Sequence, residues 1–150
     1  MKDTLNLIKE TLVDLCVPQT ADGGPDAING DGLDMAGFEG VLFVAVLGVV
    51  TGAGVDALTA QASDDDGGSD SYGDLAGTST SKVTGSNKLL ALNVHRPAKR
   101  YIRPVLTRSV AASIIGGVIA IRYGARKSPT TQGADVATQV SVISPAEGTP

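Results

Sequence analysis

Three groups of residues have side chains and spacings that bear on chemistry. The first is His95, the sole histidine, followed directly by Arg96 and Pro97. A general base needs a nucleophile or an orienting carboxylate within hydrogen-bond reach. The chain has no G-x-S-x-G elbow or other nucleophile signature to provide one, so His95 reads as a packing or surface residue at a strand end. The second is an acidic run, S-D-D-D-G-G-S-D-S-Y-G-D, with Asp64, Asp65, Asp66, Asp70 and Asp74. Clustered carboxylates attract divalent ions, yet in a Gly/Ser-rich loop they are ordinarily just solvated. The third is a basic strip, Arg96, Lys99, Arg100, Arg103 and Arg108, with Tyr101 interleaved. Such a strip suits phosphate backbones, with the ring free to stack on a base.

Other motifs exclude more than they offer. Asp22, Asp26 and Asp31 lie in a turn-rich segment, but no reading frame has the ligand positions and the closing Glu of a calcium loop. Gly124-Ala125-Arg126-Lys127-Ser128 mimics the end of a phosphate-binding loop. It has Arg where Gly is needed, and no helix pattern follows. Gly48, Gly52 and Gly54 match neither a dinucleotide fingerprint nor a phosphate loop. Cys16 is the one cysteine, so an intrachain disulfide is excluded and a zinc site cannot be built from it and a single histidine. The expectation is a protein without enzymatic activity, cofactor or metal.

The elements that would carry these residues read as strands. Val41–Val50 is a ten-residue apolar run, the pattern of a central strand covered on both faces. Val55–Ala62 reads as its return. Leu89–Val94, Tyr101–Thr107 and Ile114–Tyr123 follow as β-branched-rich runs divided by short breaks. Pro104 cannot donate to a ladder, which predicts an edge or bulged strand there. Gly116 and Gly117 predict a bulge or a bend. Near the start, Leu5, Ile8, Leu12 and Leu15 recur at helical spacing, with Asp3 or Thr4 as cap, whereas Val13, Leu15 and Val17 alternate as in a strand. A short helix or extended arm followed by a strand covers both patterns. After Ser128, charge and bulk fall away into a tail in which Val136, Val140, Val142 and Ile143 offer at most one short strand. A neighbouring subunit is the expected holder of that tail.

At 150 residues the chain suits one domain. The expected organisation is an arm or short helix over 1–17, an antiparallel β-sandwich over 18–130 and a C-terminal tail over 131–150. Residues 1–80 carry fourteen acidic and two basic side chains, a net of −12; residues 81–150 carry two and ten, a net of +8. This division suits either internal complementarity or contacts between copies and with charged partners. The first ten residues carry acids and lack a continuous apolar segment, and the longest apolar runs are too short for a membrane helix. A soluble, intracellularly made protein is expected.

Taken in order, L-D-M-A-G-F-E-G-V-L-F-V-A-V (33–46), A-Q-A-S-D-D-D-G (60–67), Y-G-D-L-A-G-T (72–78), K-R-Y-I-R-P-V-L-T-R (99–108) and I-A-I-R-Y-G-A-R-K-S-P (119–129) resemble small structural proteins of tailed bacteriophages that decorate or cement the capsid. The resemblance implies a jelly-roll-like sandwich bound to the outer surface of the virion head. There it would bridge neighbouring copies of the major capsid protein and touch copies of itself as a dimer or trimer. Within that setting, the basic strip and the acidic loop are candidate contact surfaces of opposite sign. A tail or head–tail joining protein is the alternative reading. A nucleic-acid-binding β-protein using the 96–108 strip is the alternative of a different class, disfavoured by the acidic overall charge.

Overall fold

A computed structural model of the chain describes residues 6–20, 26–50, 55–109, 113–142 and 146–148. Asp22, the Thr51–Gly54 turn, Ile143 and the Asp3/Thr4 cap with Leu5 lie outside the described residues. Among the described residues, one helical turn, α1 (Leu7–Glu10), precedes nine strands: β1 (Leu12–Val17), β2 (Ile28–Asn29), β3 (Leu33–Asp34), β4 (Gly40–Val50), β5 (Val55–Ser63), β6 (Gly73–Asp74), β7 (Leu89–His95), β8 (Tyr101–Ser109) and β9 (Ser113–Tyr123). They form two antiparallel sheets packed face to face as a β-sandwich. The first runs β1-β9-β4-β7; the second runs β2-β8-β5-β6, with β3 also paired to β8. The predicted boundary at residue 17 is crossed by sheet pairing, because Leu12–Val17 is an edge strand bonded to β9 from Leu12↔Arg122 to Val17↔Val118.

Alternation along the strands builds the core. Val41, Phe43, Ala45 and Leu47 of β4 point inward and are fully buried, as are Leu58 and Ala60 of β5, Ile102 and Leu106 of β8, and Ile115, Val118 and Ala120 of β9. With no Trp, aliphatic side chains supply nearly all of the apolar burial that drives folding. Of the bulge or bend expected at Gly116 and Gly117, the structure has the bulge. Val46 pairs with Gly117 while Leu47 pairs with Ile115, so Gly116 is the extra residue and Gly117 sits at φ +133°. A second irregularity in β1, between Leu15↔Ile119 and Val17↔Val118, turns both Cys16 and Val17 into the core.

Pro104 departs from expectation. Its strand is interior, between β5 and the β2/β3 ribbon, with Ala60 opposite it. The Pro104 carbonyl accepts from Gly30 N–H at 2.8 Å, so its polar edge faces the point where β2 and β3 are interrupted. The missing N–H therefore costs no ladder bond, because no paired strand residue is waiting for it.

Candidate docking surfaces

The acidic loop and the basic strip meet within the chain. Lys99 Nζ donates to Asp70 and lies 3.7 Å from Asp64. Arg100 grips Asp34 through Nε and Nη2, at 3.0 and 2.7 Å. Arg103 donates twice to Gln61 Oε1 and stacks 4.2 Å from the Tyr72 ring centre; Gln61 in turn donates to Asp74 at 2.8 Å. Tyr72 donates its hydroxyl to Asp66. Arg108 Nε donates to the Asp26 carbonyl at 2.8 Å. Of the five strip residues, Arg96 is the one with no side-chain pairing among the described residues. Lys99 thus pairs with the acidic loop and Arg100 with Asp34, which in part matches the internal-complementarity reading of the charge division.

Electrostatics follow these contacts. The hydrogen bond from Arg100 holds the Asp34 carboxyl below the usual range, and that from Lys99 does the same for Asp70. Asp65 is also lowered, by backbone N–H bonds from Ser69 and Asp70 at 2.6 and 3.0 Å. Lys99 is raised by its bond to Asp70, and the Tyr72 phenol is raised by burial and by Asp66. Among the described residues, no group of three or more His, Cys, Asp or Glu side chains is placed to hold a metal ion. His95 stacks parallel to Tyr123 at 6.3 Å between ring centres, with the Tyr123 hydroxyl 3.4 Å from Nδ1 and 2.9 Å from Asn93 Oδ1. That is a packing role. Tyr123 lies across Gly40, where any side chain would collide with its ring.

Two shallow clefts open at one end of the sandwich. One, of about 610 Å³, is lined by Met35–Glu39, Arg96–Arg100 and Arg126; the other, of about 600 Å³, lies beside Glu10, Glu39, Tyr123–Arg126 and Ser128. Neither gathers a nucleophile, a base and an orienting partner.

A different surface was missed as a site. The register places Val13, Ile121, Leu42 and Asn93 in one cross-strand row of the first sheet, Leu15, Ile119, Val44 and Ala91 in the next, and Val46 beside Leu89 beyond them. These residues face away from the core, and none is charged. Leu15, Val46 and Leu89 are 42%, 39% and 65% exposed, and the others are half-buried by one another or exposed. The long apolar run of β4 predicts cover on both faces. The second sheet covers one, and among the described residues no further layer covers the other. Unbroken apolar runs in β4 and β9 are the signal for this surface, since a sheet with one wetted face normally alternates.

The tail is held by its own chain. Thr130 N–H bonds to the Lys9 carbonyl at 2.7 Å and its hydroxyl to Thr11. Gln132 Oε1 accepts from Val13 N–H and Asp135 Oδ2 from Leu15 N–H, both at 2.9 Å. Two side chains thereby satisfy the outward amides of the β1 edge. After a turn at Gly133–Val136 the chain doubles back, and Asn6 bonds Ser141 at 2.7 Å.

The chain matches no protein-family model, and no curated protein matches it. Among the described residues no helix is long and apolar enough to cross a membrane.

Proposed function

We propose that this protein is a virion structural protein that binds the outer surface of a tailed-phage capsid and cements neighbouring major capsid subunits. The observation that carries this reading is the uncharged outer face of the first sheet. A contiguous, mostly aliphatic surface with no covering layer among the described residues favours burial against another protein. The strand order β1-β9-β4-β7 against β2/β3-β8-β5-β6 supports the jelly-roll part of the reading, the double-sheet, two-Greek-key arrangement found among viral capsid domains. Its stabilising effect would come by mass action, from binding the assembled lattice in preference to free subunits. Repetition over the shell would multiply modest single contacts.

The nucleic-acid alternative loses support from the pairing of Lys99 and Arg100 with carboxylates and of Arg103 and Arg108 with oxygens of Gln61 and Asp26. Those cations would have to exchange formed contacts for phosphate.

Cryo-electron microscopy of purified virions tests the assignment. Density for this sandwich on the head shell, apolar sheet inward, is expected; its absence from the shell overturns the proposal, and density in the tail or neck favours the joining-protein alternative. A Val46→Lys variant should fold normally and fail to co-sediment with shells that lack the native chain.

A further inference from the structure

The four sheet edges end in different ways. Exposed strand edges invite pairing with other chains, and natural proteins blunt them. The β1 edge is covered by Gln132 and Asp135 of the tail. The outer edge of β5 is covered by β6 and the segment after it, through Leu75 N–H to Ala60, Thr80 N–H to Leu58, and the hydroxyls of Thr78 and Thr80. The β2/β3 edge is broken at Gly30–Gly32. The β7 edge has none of these protections. It runs unbroken from Leu89 to His95 with no proline and no Lys, Arg, Asp or Glu.

Register fixes which of its groups are open. Lys88 accepts from Leu47, and Arg96 donates to Glu39, so the even-numbered residues of β7 bond inward to β4. In an antiparallel ladder the alternate residues then point outward. Leu89, Ala91, Asn93 and His95 present their N–H and C=O groups on the open side. Among the described residues no backbone hydrogen bond reaches them there.

The same chain carries an unpaired segment of matching character. Residues 136–142, V-A-T-Q-V-S-V, place Val136, Thr138, Val140 and Val142 on one side at strand period. They form no strand, and Val140 and Val142 are 81% and 70% exposed. Both segments are seven residues long and free of formal charge. Lys88 and Arg96 flank β7, whereas Asp135 precedes the tail segment and Glu147 follows it, so the flanks are opposite in sign. The segment is tied to the β1 side by Asn6, at the far edge of the sheet from β7.

We infer that residues 136–142 of one copy add as a strand to the β7 edge of a second copy, joining chains head to tail. Each junction continues the first sheet in line, because its two halves lie at opposite edges of that sheet. The contact is heterologous, so copies close into a ring when the rotation permits and otherwise extend. It deepens the cement reading by naming the copy-to-copy contact, and it rests on that reading only for its setting. The test uses purified chain, so absence from virions would sink the cement role without touching this contact.

Light scattering coupled to gel filtration should show the native chain as an oligomer. Ala91→Pro removes an outward N–H and leaves the β4 ladder intact; it should give monomer. Val140→Lys combined with Val142→Lys, at two exposed positions, should also give monomer with unchanged circular dichroism. Mixing the two variants restores one intact junction, the limb of the first on the edge of the second, and should give a one-to-one heterodimer. A native chain that stays monomeric up to its solubility limit overturns the inference. So does an oligomer that survives the double lysine variant, or a mixture that stays monomeric.

Discussion

Arg122 holds Asp14 through two parallel bonds across β9 and β1, Nε to Oδ2 and Nη2 to Oδ1, each 2.9 Å. Both side chains are largely buried, at 12% and 17% exposure. The third nitrogen, Nη1, donates to the Asp34 carbonyl at 2.7 Å, and the guanidinium lies 5.0 Å from the Phe38 ring centre. One side chain thus ties the edge strand to the segment that enters β4. Removing one partner of such a pair strands the other charge. Arg122→Met should cost about 3–5 kcal/mol in urea unfolding. Asp14→Asn, which leaves the carbonyl and ring contacts of Arg122, should cost less. Equal and small losses for both would show that the pair does not hold this corner.

Ser63 organises the acidic loop from a fully buried position. Its hydroxyl donates to the Asp70 carbonyl at 2.6 Å and accepts from Gly67 N–H at 2.8 Å and Asp65 N–H at 3.2 Å. Ser63→Ala leaves the Asp70 carbonyl and the Gly67 and Asp65 N–H groups without this partner, a loss of about 0.5–1.5 kcal/mol. The loop should then be cut faster by an Asp-specific protease between residues 64 and 74. An unchanged cleavage rate would mean that the Asp65 and Asp70 contacts order the loop without Ser63.

Cys16 is buried, and burial together with Asp14 and Asp31 pushes its thiol up to about 12. Since the thiolate is the reactive form, about 10⁻⁴ of it is present at pH 8 even before access is considered. Iodoacetamide should leave Cys16 unmodified in the native protein and alkylate it promptly in denaturing urea. Rapid native labelling would show that the β1 irregularity opens.

Strand positions were legible because burial dictates composition: the runs at 41–50, 55–62, 89–94, 101–107 and 114–123 became β4, β5, β7, β8 and β9 within a residue or two. Gly116 and Gly117 were legible as a bulge or bend for a conformational reason. Pro104 misled, since a local rule cannot see that its partner strand breaks opposite it. Lys99 with Asp70 and Arg100 with Asp34 are 29 and 66 residues apart, and only the fold brings them together. The hold of the chain on its own tail was not legible, because Gln132 and Asp135 carry no pattern; their role appears once the β1 amides are seen to lack strand partners.

Acid should be the weak side of this fold. Arg100, the amides of Ser69 and Asp70, and Lys99 hold Asp34, Asp65 and Asp70 respectively below the ordinary aspartate range. A carboxyl lowered in the folded state binds fewer protons there than in the unfolded chain. Its stabilisation is complete above about pH 4, the ordinary value, and is lost as pH falls through the folded value. Lys99 is raised, so its contribution is present below its ordinary value of about 10.4 and is lost only as pH climbs through the higher folded one. Thermal unfolding should therefore be flat through neutral pH and fall below about pH 4. All three carboxylates are solvated at the surface, so the share of each is small. The variant carrying both Asp65→Asn and Asp70→Asn should be less stable at neutral pH and lose less on acidification. If its Tm falls as steeply with acid as that of the native chain, the acid sensitivity belongs to other carboxylates.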